Sequence, residues 1–251
     1  MGQRVVLDGI AIDRRTETEI VAYVRESLDR GDGGRIVTPD VDLLRLARHD
    51  PGLRAHLAGA DLVVAAGAPL VWASRLARAP LPERVTGPDL ARALALVLAA
   101  DGRSLYLLGG APSVFGRPEG AHRAAKALVR AYPGLRIAGH ASPRHGFDRD
   151  PATFDAVCRE IVESRPDVVY IGPSCRRPDL LADRLRGEAP GAWLIGCGAA
   201  IDVLAGDRAR RAGAEWAHRL RRKPRRLADR YLRRAAPYAL GLLIRAAIRR
   251  R

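Results

Sequence analysis

This sequence is poor in several things, and each shortage closes off a class of protein. It has three cysteines in 251 residues, Cys158, Cys175 and Cys197. An odd number without metal-ligand spacing argues against both a disulfide framework and a zinc site, so buried or free thiols in a reducing compartment are expected. No stretch approaches the roughly 20 apolar residues of a membrane-spanning helix. The opening residues, MGQRVVLDGIAIDRR, hold no uncharged apolar run and no small-residue cleavage site; Val6 also stands where a myristoylation signal needs Ser or Thr, so a cytoplasmic protein is expected. There is no G-x-G-x-x-G, no G-x-x-x-x-G-K-[ST] and no G-x-S-x-G. Dinucleotide oxidoreductases, P-loop enzymes and serine hydrolases of the nucleophile-elbow type thereby lose their main support.

What the chain has in excess is positive charge, unevenly placed. Residues 208–251 contain 16 Lys and Arg against two acids, Glu215 and Asp229, whereas the first 207 residues hold 27 basic and 26 acidic side chains. A nearly neutral body carries an intensely cationic end. Such a field attracts phosphate, whether on nucleic acid, on a membrane surface or on a diphosphate substrate. With 47% hydrophobic and 28% charged residues the composition is that of a globular protein.

Through the first 200 residues, short β-branched runs alternate with helical patterns. Strands are predicted at Arg4–Leu7, Arg35–Thr38, Leu62–Ala65, Ser104–Leu108, Arg136–Ala138, Val168–Ile171 and Trp193–Ile195. Between them lie amphipathic stretches such as Glu17–Leu28, Asp89–Ala100, Glu119–Ala131 and Pro151–Glu163. That alternation predicts an α/β fold with a Rossmann-like, mostly parallel sheet and helices on both faces, its ligand at the carboxyl ends of the strands. Three predicted strands run into TPDVD, AAGAP and GGAP. In the last, Gly109 and Gly110 would let the backbone approach a phosphate or ribose, although a strand ending in Gly-Gly is also an ordinary turn.

The domain expectation is a body over 1–206 and a basic helical appendage over 207–251. In the appendage, Arg219, Arg222, Arg226, Arg230 and Arg233 recur at three- and four-residue intervals, which gathers cations along one helix side. Ala236–Ile248 follows, apolar and too short to span, with Tyr231 and Tyr238 near its entry and Arg249, Arg250 and Arg251 after it. Two readings stand side by side: a helix lying in the plane of an anionic membrane, or a helix docked on the protein's own core with a solvated basic face. No nucleic-acid partner is expected, because recognition motifs and interleaved aromatics are missing from the tail. Self-association is left open.

Four segments carry a resemblance that spans nearly the whole chain in the right order. They are VTPDVDLLRLA (Val37–Ala47), ADLVVAAGAPLVWASRL (Ala60–Leu76) with PLPERVTGPDL (Pro80–Leu90), LYLLGGAP (Leu105–Pro112), and GCGAAIDVLAG…GAEWAHRLRRKPRRLADRYL (Gly196–Leu232). Together they resemble the WecG/TagA/CpsF family, bacterial glycosyltransferase family 26. The resemblance implies an enzyme at the inner face of the plasma membrane. It would move a sugar, typically of N-acetylmannosamine type, from a UDP-sugar to a glycan on a polyprenyl diphosphate, with inversion and without a required cofactor. It also implies a basic appendage that meets the membrane and completes the active site.

Inverting transfer needs a base, positive charge for the departing diphosphate and a sugar pocket. Thr38 matches the family's active-site threonine, or is simply a helix N-cap. Arg84, in RVTG, matches an active-site arginine suited to phosphate oxygens; the alternative is a solvated charge near a helix start. Asp202 matches a polar position near the nucleotide, or is an early-turn helix acid, with Gly196 and Gly198 allowing close backbone approach. Arg219, Arg222, Arg226 and Arg230 are candidate diphosphate ligands. Two departures stand out. The family's expected base, an Asp before the Gly of the second motif, is replaced here by Ala66. The loop that usually carries a Gln reads Arg176-Arg177-Pro178-Asp179. Asp40 replaces a usual Asn and creates Asp40-Val41-Asp42, so Asp40 is a candidate relocated base, and the pair a candidate divalent-metal site, though both are also favourable first-turn acids. A catalytically impaired member that binds nucleotide-sugar or lipid-linked glycan within an assembly complex is the alternative reading.

Overall fold

The structure, a computed structural model, describes residues 3–114, 116–174, 178–206 and 235–248. In chain order its elements are β1 (Arg4–Leu7), β2 (Ile10–Asp13), α1 (Glu17–Asp29), β3 (Gly34–Val37), α2 (Val41–Ala47), α3 (Pro51–Ala58), β4 (Leu62–Val63), α4 (Ala68–Leu76) and α5 (Gly87–Ala100). There follow β5 (Ser104–Leu108), α6 (Gly120–Ala131), β6 (Arg136–Ala141), α7 (Pro151–Ser164), β7 (Val168–Ile171), α8 (Pro178–Glu188), β8 (Trp193–Gly196), α9 (Ala200–Leu204) and α10 (Ala236–Ile248). The backbone forms two compact units: one from Met1–Thr16, Thr38–Thr86 and Ala209–Arg251, the other from Glu17–Val37 and Gly87–Arg208. The fold is α/β with a mostly parallel sheet, as the strand–helix alternation predicts.

The second unit holds the strands in the order β3-β8-β7-β5-β6, each neighbouring pair parallel. Every residue of β5 and of β7 is buried, which is what helices covering both faces of a sheet produce. Tyr106, Val157, Cys158, Ile161, Leu181 and Leu185 close the core on the α7–α8 face. Large aromatics are accommodated by glycine: a Cβ at Gly34 would lie 2.6 Å from the Trp193 ring, and one at Gly139 the same distance from Tyr106. Their polar atoms are met too. Trp193 Nε1 donates to the Asp32 carbonyl at 3.2 Å, and the Tyr170 hydroxyl donates to the Ala91 carbonyl at 2.6 Å. Helix α7 starts by a local rule, with Asp150 as N-cap accepting from Thr153 N and Pro151 in the first turn.

In the first unit, β1 and β2 form an antiparallel hairpin. Ile10–Asp13 is absent from the strands predicted above, yet its turn is Asp8-Gly9, with φ of 51° and 82°. Positive φ at both central residues is the hairpin geometry that Asp-Gly favours. Asp13, buried, accepts from Arg4 Nε and from Val63 N, both at 2.8 Å, and so holds β4 beside the hairpin. The predicted strand at Leu62–Ala65 is only two residues long, while β6 extends three residues past its predicted end.

Helix α10 occupies the predicted Ala236–Ile248 and packs on α4 and α2. Leu242 and Ala246 are buried, whereas Leu240, Ile244 and Ile248 are exposed. The helix therefore docks by one apolar face and presents a second. Polar contacts fix it at Asp8, which accepts from the Tyr238 hydroxyl at 2.6 Å and from Arg245 at 3.1 and 3.2 Å. Burial raises the Asp8 pKa, but Tyr238 and the charges of Arg245 and Arg48 outweigh it and hold the carboxyl below its usual range. No described helix is long and apolar enough to cross a membrane.

Candidate functional site

In the second unit the chain leaves β5 toward β6 on one side and leaves β7 toward β8 on the other. That reversal between β5 and β7 is the topological switch point, where open α/β sheets bind ligands beyond the carboxyl ends of their strands. An open cleft of about 230 Å³ lies there, lined by Gly110, Pro112, Pro143, His145, Ser174 and Asp202 among others. Its floor demands glycine. Gly109 (φ 130°) and Gly110 (φ 81°) adopt conformations that side chains rarely reach, and a Cβ on Gly109 would meet Gly172 Cα at 3.0 Å.

Two cleft residues carry chemistry that the sequence did not single out as functional. Ser174 is 6% exposed, and its buried hydroxyl has no hydrogen-bond partner among the described residues. Buried hydroxyls are ordinarily satisfied, so an orphan lining a cleft marks a place where a ligand's polar atom belongs. His145 lies with Nδ1 3.0 Å from the Pro173 carbonyl; since the carbonyl only accepts, the ring donates from Nδ1 and keeps Nε2 for a ligand. Gly146 N donates to the Ser174 carbonyl at 2.8 Å, which ties the loops after β6 and β7 together. The sequence signal was two proline-bearing loops, SPRHGF and GPSC, each following a strand, and nothing in either announced that they meet.

The predicted ligand residues divide. Gly110 and Asp202 line the cleft, Asp202 from the first turn of α9, and Gly109 backs it. Gly196 ends β8 and Gly198 follows with φ 53°, both outside the lining. Cys197 between them is fully buried, its thiol pushed up to about 12 by burial, which rules it out as a thiolate nucleophile near neutral pH.

The other predicted residues gather in the first unit. The cap of α2 is Asp40 and not Thr38: Asp40 Oδ1 accepts from Asp42 N at 3.0 Å and Leu43 N at 2.9 Å. Thr38 is half-buried two residues earlier and makes polar contacts of its own. A Cβ on Gly67 would lie 3.4 Å from Asp40 Cα, and Ala66 N donates to the Pro39 carbonyl at 3.0 Å. Asp40 is thus the neighbour of Ala66 in space. Arg84 belongs to the same group, since Val85 N donates to the Ala65 carbonyl at 3.1 Å. The Arg84 side chain is exposed and forms no ion pair or hydrogen bond with any described residue.

Asp40 and Asp42 do not form a ready chelate. Asp42 is buried, with Oδ1 in a salt bridge to Arg45 at 2.8 Å, while Asp40 is exposed and spends one oxygen on its helix. Among the described residues no three metal-ligating side chains converge. Arg176, Arg177, Arg219, Arg222, Arg226, Arg230 and Arg233, together with Tyr231 and Cys175, lie outside the described residues. Cys158 and Cys197 are buried free thiols, as expected.

Comparison with known proteins bears on the same residues. The model of the glycosyl transferase WecG/TagA/CpsF family matches residues 5–251. The chain is also similar to an N-acetylglucosaminyldiphosphoundecaprenol N-acetyl-beta-D-mannosaminyltransferase of Bacillus spizizenii, at 27% identity over 216 residues, covering 83% of this chain and 79% of that protein. With a family match over nearly its whole length, a parallel α/β fold and a cleft at the switch point, the chain belongs to the WecG/TagA/CpsF family and is a glycosyltransferase.

Proposed function

We propose that this chain transfers a sugar of N-acetylmannosamine type, or a related hexose, from a UDP-sugar to a glycan carried on a polyprenyl diphosphate, with inversion. The relative from Bacillus spizizenii, whose name specifies an acceptor of N-acetylglucosamine on diphosphoundecaprenol, supports that acceptor class. The observation that carries the donor reading is the switch-point cleft, with its glycine floor and the orphaned Ser174 hydroxyl. A flat, hydrogen-bonding heterocycle joined to a phosphate fits walls made of proline, a histidine edge and a backbone without side chains.

The chemistry then assigns roles. The acceptor hydroxyl loses its proton to the free oxygen of Asp40, and its oxygen bonds to the anomeric carbon. The bond from that carbon to the diphosphate breaks, and the nucleoside diphosphate leaves with the electron pair. Arg84, exposed and without an ion pair among the described residues, suits the developing phosphate charge. We assign no resident metal to this step, because Asp42 is held by Arg45 and Asp40 keeps a single free oxygen, which the proton transfer uses. The exposed apolar stripe of α10, in a C-terminal segment of net charge +14, supports the reading that the chain works at an anionic membrane surface, where a lipid-linked acceptor would reside.

The test is turnover of UDP-N-acetylmannosamine with a short-chain polyprenyl-diphosphate-linked N-acetylglucosamine, by the native chain, Asp40→Asn and Ala66→Asp. Native turnover lost about a hundredfold or more in Asp40→Asn supports the relocated base. A native chain without turnover that gains it in Ala66→Asp would establish instead the second reading, an impaired member that binds its ligands within an assembly complex, which Ala66 itself favours.

A further inference from the structure

The turn that floors the cleft, Gly109-Gly110-Ala111, has no side chain able to fix its own shape. Both glycines occupy positive φ, and both would be free to leave it. What holds the turn comes from β6 and the start of α6. Gly109 N donates to the Ala141 carbonyl at 2.8 Å, and Gly120 N donates to the Ala111 carbonyl at 2.7 Å. The buried Ser142 hydroxyl donates to the Gly109 carbonyl at 2.6 Å and accepts from Ala121 N at 2.9 Å. One hydroxyl therefore joins the turn, the first turn of α6 and the end of β6.

Ser142 is itself oriented by Glu119. This residue stands at the N-cap position of α6, yet its side chain makes no capping bond. Its carboxylate turns to β6, where Oε2 accepts from Ser142 N at 3.2 Å and Oε1 lies 2.7 Å from His140 Nδ1. An ionised carboxylate only accepts, so His140 donates from Nδ1 and its Nε2 is an acceptor in the neutral ring. His122 on α6 meets it there, Nδ1 to Nε2 at 3.1 Å, with the two rings edge to face and their centroids 4.9 Å apart. A residue in the cap position has been diverted into a chain, Glu119–His140–His122, that clamps α6 to β6 beside the cleft.

We propose that Glu119 is a positioning residue for donor binding: through Ser142 it fixes the Gly109–Ala111 turn in its ligand-accepting form, and the His140–His122 pair locks the carboxylate in place. This rests on the reading that the cleft takes the donor nucleotide. The residue acts on the shape of the floor and not on the reacting atoms. Its loss falls on nucleotide affinity and leaves the chemical step largely alone.

The experiment is calorimetric titration of UDP into the full chain and into Glu119→Ala and Glu119→Gln, with thermal melts and ring-nitrogen NMR of the histidines. Glu119→Ala is expected to raise the UDP dissociation constant about tenfold, the scale of a lost hydrogen bond to a charged, part-exposed group, and the donor KM with it, at nearly constant kcat. Glu119→Gln is expected to stay within about threefold of the native chain, since its carbonyl still accepts from Ser142 N while its amide donates to His140. His140 must then adopt the opposite tautomer, a swap visible in the ring-nitrogen shifts. An unchanged affinity in Glu119→Ala, or a fall in kcat matching the rise in KM, overturns the proposal. So does an equal loss in both variants with a common drop in melting temperature. If the native chain binds no UDP, it is the donor reading that fails. The clamp is then judged by amide exchange of Gly109 to Ala111, where faster exchange in Glu119→Ala supports it and unchanged exchange refutes it.

Discussion

The two units of this protein bury themselves by different means. In the second, the central strands are enclosed on both faces, and the large side chains Trp193, Tyr106 and Tyr170 are fully buried with their polar atoms satisfied. In the first, the strands are a short hairpin and a two-residue β4, and Val6, Leu46, Trp72, Leu240, Ile244 and Ile248 stay exposed. Beside its buried apolar residues, such as Ile12, Leu57 and Leu70, the first unit is tied by polar contacts. Asp13 joins the hairpin to β4, and Asp8 receives α10. Close-packed apolar interiors give rigidity, which suits a cleft built at the ends of these strands. Exposed apolar groups on a cationic segment suit a surface that has still to meet a partner. The second unit also exposes Leu96, Val114, Val129 and Leu180, so the two units differ chiefly in how long a run of enclosed strand each contains.

The strongest way to break the contrast is at the packed end. Trp193→Ala should cost about 3–5 kcal/mol in denaturant unfolding, since the ring fills space that Gly34 leaves open for it. Next comes a change that spares packing altogether. Arg84→Ala is expected to lower kcat about a hundredfold, equivalent to about 2.7 kcal/mol, with an unchanged melting temperature. A loss of stability in that variant would show that the guanidinium serves the fold instead.

Asp8→Asn should cost about 1–2 kcal/mol, discounted because Arg245 is 36% exposed. Acid should act in the same direction. The folded carboxyl titrates below its unfolded value, so its stabilisation is present above the unfolded pKa and drains away as pH falls through the folded one. Melting temperatures compared between pH 6 and pH 3 should therefore fall less in Asp8→Asn than in the native chain. The smallest effect on the fold is expected from Ile244→Ser, within about 0.5 kcal/mol of native stability, because the side chain is already half in water. The same variant should bind anionic vesicles about fivefold more weakly in sedimentation. Equal binding would remove α10 from the membrane reading.

Much of the second unit was legible because its signals are local. Continuous apolar runs placed β5 and β7 to the residue, and Ser104–Leu108 needed no partner to be recognised. The hairpin strand Ile10–Asp13 escaped, although Asp8-Gly9 announces a turn, because its polar alternation is broken by a buried Asp13. Thr38 looked like the cap of α2, and Asp40 is, since Pro39 keeps the chain extended one residue longer. The site was less legible for a physical reason. Ser174 and His145 come from loops after different strands, Asp40 adjoins Ala66 across 26 positions, and Glu119 and His140 meet at a separation of 21. Family motifs located the glycines and Arg84; they carried no information on which side chains fold toward one another.

The bonds from Asp8 to Tyr238 and Arg245 join positions 230 and 237 residues apart. The turn that seats α10 therefore lies far along the chain from the residues that fill it, and docking the helix closes a very long loop. Contacts closed over such a span form late in folding, so the helix bearing the exposed apolar stripe is expected to be among the last parts of the first unit to be seated.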